Sequence, residues 1–274
     1  MSAVPLPRLV TDTALAHLRW DSGGPPVVLL HGVGGDRGAW DASGSDTGAT
    51  LAAAGHTVLA IDFPGFGLSA DIEPYDLAGM AAALQATLGA AALGPAVLVG
   101  HSMGGMVAQE LAARAPQTVT ALVLASTSPA FGKPGGVWQR GILQSRFAPL
   151  DAGLGMAGLA AQWVPAMVAP GASAPMMQAA QALMAGVPEA TYRRAVAALV
   201  AFDRRADLPN IAVPTLVITG EADRTASPEV ARRMAERIPG ADCRTVADAG
   251  HLLNLEQPAA FHAALLSFLA SACR

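Results

Sequence analysis

Short apolar runs alternate along the chain with longer segments of helical character. Six runs are predicted to be strands, at residues 27–30, 58–61, 97–99, 121–124, 215–219 and 243–246. Four segments are predicted to be helices, at residues 77–88, 103–114, 228–238 and 259–270. Most of the strand runs are continuously apolar, which is typical of strands covered on both faces. The alternation of such strands with helices therefore predicts an α/β fold, with a parallel sheet and helices on both of its faces.

The alternation stops after residue 124 and resumes in the segment NIAVPTLVITG. Residues 128–207 contain helical stretches broken by glycine and proline, without a convincing strand. Within them, residues 152–188 carry no charged side chain, which superficially suggests a membrane segment. The repeated breakers favour several short helices instead, so no membrane partner is expected. We predict a helical cap (lid) at 128–207, inserted into a core formed by 1–127 and 208–274.

Composition excludes several classes of partner and cofactor. The 274 residues are 52% hydrophobic and 14% charged, which predicts a large core. The net charge is −4 and no basic patch is visible, so a nucleic-acid partner is not expected. Two cysteines are too few for a disulfide framework or a usual zinc site; we expect Cys243 to be buried and Cys273 to be incidental. The N-terminal residues lack an apolar signal-peptide region, so a cytoplasmic location is expected.

The segment GHSMG, residues 100–104, follows a predicted strand and opens a predicted helix. A serine at such a sharp turn adopts strained backbone angles, and the small residues two positions before and after it prevent clashes. A serine hydroxyl needs a base before it becomes an effective nucleophile. Ser102 is therefore a candidate nucleophile, and the backbone N–H of Met103 is a candidate oxyanion donor.

A glycine-rich loop, HGVGG at residues 31–35, follows the first predicted strand. Such a loop can bring the Val33 N–H beside that of Met103 as the second oxyanion donor. His31 is expected to hold the loop by hydrogen bonding. The segment DFPGFGLS, residues 62–69, is interpreted as a structural turn, with a loop that shapes the pocket floor as the alternative.

One histidine and one acid stand out as partners for the serine. His251 lies in a glycine-containing loop after the last predicted strand, where it can reach the sheet edge. The side chain of His101 is expected to point away from the adjacent Ser102. Asp223 lies just past a strand end, and the chain order serine, aspartate, histidine is the one expected for a strand–turn–helix serine nucleophile. The rival acids are Glu221, Asp203, Asp207 and Asp248.

Taken together, HGVGG, DFPGFGLS, GHSMGG, GEAD and AGHLLNLEQP resemble the α/β-hydrolase superfamily of Ser-His-Asp hydrolases. The resemblance covers nearly the whole chain. It implies an eight-stranded, mostly parallel sheet whose second strand is antiparallel, with a cap inserted after the sixth strand. The nearest look-alike is 3-oxoadipate enol-lactone hydrolase, on the segments FDRRADLPNIAVPTLVITGEAD, IPGAD and AGHLLNLEQPAAFHAALLSFL.

The cap residues bear on the substrate. The enol-lactone hydrolases often carry Gly-x-Pro followed by Trp and Arg, and the counterpart here is Gly132-Lys133-Pro134 with Trp138 and Arg140, offset by about one residue. A carboxylate-bearing lactone needs a cap cation, for which the candidates are Lys133, Arg140, Arg146, Arg193, Arg194, Arg204 and Arg205. The uncharged, Met-rich segment instead favours an apolar pocket wall or core packing. The substrate-binding candidates are Gly32, Trp138, Arg140, Trp163 and Leu252.

These patterns predict a serine hydrolase that cleaves a small-molecule ester or lactone through an acyl-enzyme, without metal or cofactor. Haloalkane dehalogenases and epoxide hydrolases are disfavoured because they carry Asp where this chain has Ser102. Three alternatives remain open: a C–C bond hydrolase of vinylogous diketones, a cofactor-free perhydrolase, and a catalytically silent ligand-binding protein. A monomer or homodimer is expected.

Overall fold

The chain is organised around one sheet of eight strands. A computed structural model describes residues 5–133 and 135–272. The strands within this part of the chain are β1 (Arg8–Val10), β2 (His17–Trp20), β3 (Gly24–Leu30), β4 (His56–Ile61), β5 (Ala96–His101), β6 (Val119–Ala125), β7 (Thr215–Gly220) and β8 (Asp242–Val246). The described helices are α1 (Thr47–Ala53), α2 (Leu77–Ala90), α3 (Met103–Arg114), α4 (Val137–Asp151), α5 (Gly155–Met167), α6 (Ala174–Ala185), α7 (Glu189–Val200), α8 (Pro228–Ala235), α9 (Leu253–Glu256) and α10 (Pro258–Ala272).

The strand order across the sheet is β1-β2-β4-β3-β5-β6-β7-β8. Strand β2 runs antiparallel to both of its neighbours, whereas the six strands from β4 to β8 in this order run parallel to one another. The predicted mostly parallel, eight-stranded α/β-hydrolase sheet with an antiparallel second strand is therefore confirmed. Because parallel strands share one direction, the loops after β3, β5, β7 and β8 all leave at the same sheet edge.

The apolar strand runs divide between two cores, one on each face of the sheet. Along β5, Leu98 packs into one core while Val97 and Val99 pack into the other. Helices α2, α3 and α8 contribute to the first core, and α1 and α10 contribute to the second. Successive side chains of a strand point to opposite faces, so a strand covered on both faces is apolar at every position.

Four helices, α4 to α7, lie between β6 and β7. The uncharged residues 152–188 were predicted to form several short helices and form two: α5 ends at Met167 and α6 begins only at Ala174. Among the described helices, not one has the length and apolarity needed to cross a bilayer. The buried residues Met156 and Met176 belong to the same core as α2 and α3. The division into a core and a cap at 127/128 and 207/208 stays a prediction.

Four elements were not located from the sequence, and one expectation is corrected. Strands β1 and β2 are only three and four residues long, and the run in β1 is largely exposed. The short helices α1 and α9 were also not predicted. Cys243 is exposed rather than buried, because β8 is the edge strand of the sheet and most of its residues face solvent. Pro134 and Cys273 lie outside the described residues.

Candidate active site

Ser102 lies at the sharp turn between β5 and α3. Its backbone angles are φ +52° and ψ −115°, a conformation that costs a residue with a side chain of the order of 1–3 kcal/mol. The turn needs glycine on both sides. A Cβ at Gly100 would lie 2.5 Å from the backbone of Gly104, and a Cβ at Gly104 would lie 2.1 Å from the Leu30 carbonyl oxygen. The backbone around Ser102 is thus packed too tightly for any residue larger than glycine at positions 100 and 104, and this packing holds the serine at the sheet edge.

A chain of hydrogen bonds joins Ser102 to His251 and Asp223. The Ser102 Oγ lies 3.1 Å from His251 Nε2. The His251 Nδ1 lies 3.0 Å from Asp223 Oδ2 and 3.2 Å from Oδ1. A carboxylate only accepts, so Nδ1 carries the proton and Nε2 is free to accept the serine proton. His251 is 4% exposed and Asp223 is 2% exposed, so the chain is shielded from solvent.

The Asp223 carboxylate is held in its charged form. Its Oδ1 accepts hydrogen bonds from the backbone N–H groups of Thr225 (2.8 Å) and Ala226 (2.9 Å). Burial alone would raise the pKa of Asp223, but the neighbouring His251 and these hydrogen bonds outweigh burial and hold the pKa below its ordinary value. An ionised Asp223 keeps the His251 ring in one tautomer and one orientation.

Two backbone N–H groups are free beside the serine. Neither the Val33 amide nor the Met103 amide donates a hydrogen bond to any residue that the structure describes. Met103 is the first residue of α3, and the first N–H groups of a helix have no partner within it. Val33 lines the same cavity as Ser102. The pair could therefore donate to a developing oxyanion.

His31 holds the loop that carries Val33, as the sequence suggested. Its Nε2 accepts from the Phe63 N–H at 3.0 Å, so Nδ1 carries the proton and donates to the Gly32 carbonyl at 2.8 Å. Burial lowers the pKa of His31 and keeps the ring neutral. The ring also makes edge contacts with Phe63 and Phe66. No residue of segment 62–69 is among the described residues that line the cavity at Ser102, which supports the structural interpretation of that segment.

The structure gives His101 a role that sequence reasoning missed. Its Nε2 donates to the carbonyl oxygen of His251 at 2.7 Å, and the two rings lie 5.1 Å apart. Burial, reinforced by the neighbouring His251, lowers the pKa of His101 to about 3, so the ring stays neutral. His101 therefore supports the backbone of His251, and its position next to Ser102 in the sequence was the available signal.

Glu256 is a second missed residue. Its carboxylate accepts hydrogen bonds from the N–H groups of Ala169 (2.7 Å), Gly250 (2.9 Å) and Leu252 (3.0 Å). Burial raises the pKa of Glu256, and these three amides act against that rise. Two of the amides flank His251 and the third lies beyond α5, so one side chain ties the histidine loop to the inserted helices. The signal was a glutamate five residues after the histidine in AGHLLNLEQP.

A cavity of about 100 Å³ opens beside Ser102 and His251. Predicted residues Gly32 and Leu252 line it, together with apolar side chains that include Val164 and Met184. The described residues contain no group of three or more His, Cys, Asp or Glu side chains placed to hold a metal ion. The cavity is thus an apolar chamber with the serine at its wall.

The structure does not bring Trp138 and Arg140 to this cavity. Trp138 is 57% exposed and lies at a second, larger cavity of about 690 Å³ that also reaches Ser102. Arg140 is exposed and donates to the Gly135 carbonyl. The reason is the phase of helix α4, which turns Gln139, Ile142 and Arg146 inward and Trp138 and Arg140 to its flanks. Trp163 packs under the Arg146 side chain without lining the small cavity.

The fold and this arrangement define a hydrolase with a serine at a strand-to-helix turn. Residues 27–264 match the model of the alpha/beta hydrolase family. The chain belongs to that family.

Two sequence relatives and two solved structures are similar to this chain. Polyketide synthase ThaQ of Burkholderia thailandensis is 35% identical over 228 residues, which cover 78% of this chain and 10% of ThaQ. RutD of Variovorax paradoxus is 33% identical, over 90% of this chain and 92% of its own length. RutD is described as a proposed carbamate hydrolase. A thermophilic esterase from Thermogutta terrifontis superposes with a TM-score of 0.83 at 25% identity, covering 97% and 99% of the two chains. An enol-lactonase from Burkholderia xenovorans LB400 shares the fold, with a TM-score of 0.81 at 24% identity, covering 96% and 100%.

Gly104→Ala should destabilise the fold, because its methyl group would meet the Leu30 carbonyl at the α3–β3 contact. We expect a loss of about 2 kcal/mol or more in the free energy of unfolding, measured by urea titration. Gly141→Ala is the matched control, since Gly141 lies inside α4 with nothing within 4 Å of its added methyl. The control should gain up to about 1 kcal/mol. Equal stability of the two variants would contradict the close packing.

Glu256→Gln should weaken the support of His251, because an amide cannot accept at both ends from the three N–H groups. We expect a loss of about 1–3 kcal/mol in unfolding free energy, as for unsatisfied buried donors. Turnover of a test ester should fall about 10-fold in kcat with little change in KM. Gln257→Ala is the control, because the Gln257 side chain donates to the Asp248 carbonyl and to none of the three amides that Glu256 accepts from. An unchanged kcat in Glu256→Gln would show that the loop around His251 keeps its conformation without the Glu256 carboxylate.

Proposed function

We propose that this protein is a serine hydrolase that cleaves a carboxylic ester or lactone of a small molecule through an acyl-enzyme. The observation that carries the proposal is the hydrogen-bond chain Ser102–His251–Asp223, with its histidine and aspartate buried and its serine at the wall of an apolar cavity. Family membership and an esterase of the same fold support hydrolytic chemistry. The proposed roles are Ser102 as nucleophile, His251 as base, and Asp223 as the acid that orients it.

The first step forms the acyl-enzyme. His251 Nε2 takes the hydroxyl proton of Ser102, and the serine oxygen attacks the carbonyl carbon. The N–H groups of Val33 and Met103 stabilise the oxyanion. The intermediate then collapses, the bond to the leaving alcohol oxygen breaks, and that oxygen takes the proton from His251. In a lactone the released alcohol stays attached to the acyl group.

The second step releases the acid. Water attacks the acyl carbon while His251 takes one of its protons, and the same two amides hold the oxyanion. Collapse of this intermediate breaks the bond to the serine oxygen, which regains the proton from His251. The enzyme returns to its starting state without a metal or cofactor. Because Asp223 remains ionised throughout, it stabilises the imidazolium formed in each step.

Other substrates fit the same machinery. An enol-lactone is the lactone that the resemblance favours. A carbamate is a second candidate, because RutD is named for carbamate hydrolysis. The serine oxygen would attack the carbonyl carbon of a carbamate in the same way as that of an ester. The C–C bond hydrolases and cofactor-free perhydrolases remain alternatives on the same three residues; Leu252 stands where many C–C bond hydrolases carry Trp. A silent binding protein would use the cavity without the proton transfer.

Ser102→Ala should abolish turnover and leave the fold intact, because removing the nucleophile disables all three residues together. We expect kcat for a short acyl ester to fall by at least about 10³-fold. A fluorophosphonate probe should label the wild type and not the variant. Ser128→Ala, a hydroxyl outside the hydrogen-bond chain that bonds to Ala130, is the matched control and should label normally. A wild type that fails to label beside an active reference esterase would favour a silent binder.

A substrate panel should rank esters and lactones first. The panel contains short acyl esters, simple lactones, an enol-lactone acid, a carbamate and a C–C diketone. The rate measured with Ser102→Ala is subtracted as background for each substrate. We expect the largest kcat/KM for an ester or lactone, because the apolar chamber suits a small acyl group. Acceleration by added peroxide, with peracid as product, would favour a perhydrolase. The largest kcat/KM for the diketone or carbamate would replace the ester assignment.

A further inference from the structure

One cation projects into the apolar cavity that holds Ser102. Arg146, on α4, is the single formally charged side chain among the described residues that line this cavity. The other lining side chains are apolar, or belong to the serine–histidine machinery and its neighbours. A charge in such surroundings is costly unless something compensates it, so its presence calls for a physical explanation.

The Arg146 guanidinium is oriented but has no counterion among the described residues. Its central carbon lies 3.7 Å from the centroid of the Trp163 ring, a stacking contact that fixes its plane. It donates to the hydroxyl of the buried Tyr192 at 3.2 Å. No carboxylate of the described chain lies within ion-pair distance of it. An arginine has five N–H donors, so most of its donors stay available.

The neighbouring arginines behave differently. Four others of residues 128–207 are each paired with at least one carboxylate of the chain: Arg193, Arg194, Arg204 and Arg205. Arg140 is exposed, with its guanidinium on the Gly135 carbonyl. Arg146 is thus the one that combines a position at the cavity wall with a missing counterion. A ligand could supply that counterion.

We propose that Arg146 binds a carboxylate on the acyl part of the substrate, while Ser102 attacks an ester carbonyl of the same molecule. This inference rests on the proposed function. The planar fork of a guanidinium matches a carboxylate in two parallel hydrogen bonds. Stacking on Trp163 prepares that fork, so little side-chain freedom is lost on binding. The substrate class is a half-ester of a short dicarboxylic acid.

The location of Arg146 gives it a role in choosing the substrate rather than in the chemical step. The carboxylate would replace water around Arg146 in a chamber whose other walls are apolar, where a charge pair is worth more than at the surface. A neutral substrate of the same size would leave the guanidinium without its partner. Arg146 is therefore expected to change KM more than kcat.

The test compares a p-nitrophenyl half-ester of a dicarboxylic acid with its terminal-amide isostere, for acids of three to six carbons. We expect the wild type to favour the acid at the best chain length by at least about 10-fold in kcat/KM. Arg146→Met keeps an unbranched apolar side chain but removes the guanidinium, with its charge and its stacking on Trp163. It should lower kcat/KM for the acid by about 100-fold, mainly through KM, and change kcat/KM for the amide by less than about 3-fold. Arg146→Lys should recover only part of the loss, because it lacks the fork.

Arg140→Met is the matched control, since it removes an arginine from the same helix outside the cavity. It should leave kcat/KM unchanged for both the acid and the amide. Equal losses for acid and amide in Arg146→Met, or a wild type without preference, would overturn the inference. Should Arg146→Met fail to fold, competitive inhibition of the wild type by free dicarboxylates, and its weakening in Arg146→Lys, gives the same decision. Fluorophosphonate labelling separates the two hypotheses: an unlabelled wild type overturns the proposed function, whereas a labelled wild type without acid preference overturns only the role of Arg146.

Discussion

The position of the His251 ring is the constraint on which the rest of the site depends. Its two ring nitrogens bridge Ser102 and Asp223, which lie after different strands. Its backbone is fixed as well, because its N–H donates to the Met167 carbonyl at 2.7 Å and its own carbonyl accepts from His101. Four contacts from three segments therefore determine the position of one imidazole. The parallel sheet makes this possible, since its strands end at one edge and deliver those segments to the same place.

This fixation couples the inserted helices to the chemistry at the sheet edge. The Met167 carbonyl and the Ala169 amide both belong to the end of α5, and both bond to the histidine loop, the latter through Glu256. A movement of that segment would shift the backbone of His251 together with the part of the cavity wall that Met167 forms. The insertion thus does two things: it closes the apolar chamber, and it holds His251, the proposed base. Positions on the face of α4 that line the chamber are separate from this linkage.

The core could be predicted from the sequence because both faces of its strands are covered. The continuous apolar run of β5 has a single interpretation, and the glycines around Ser102 follow from the steric demands of the turn. The edge strands β1 and β8 were harder, because exposure removes the apolar signal, and the exposed Cys243 is the clearest consequence. The hydrogen-bonding partners of His251 that are distant in sequence, such as Met167, leave no local pattern at all.

The inserted helices show why substrate contacts are harder to predict than catalytic geometry. Arg140 and Arg146 lie on one helix, six residues apart, and nothing in the composition around them distinguishes the two. The difference is helical phase: six residues correspond to well over one and a half turns, which sends one side chain to solvent and the other to the cavity. A resemblance offset by about one residue shifts that phase by roughly 100°. The sheet edge tolerates no such shift because backbone packing fixes Ser102, whereas the insertion can change its charge pattern without disturbing His251. The proposed selectivity therefore depends on the residues that sequence comparison aligns least well.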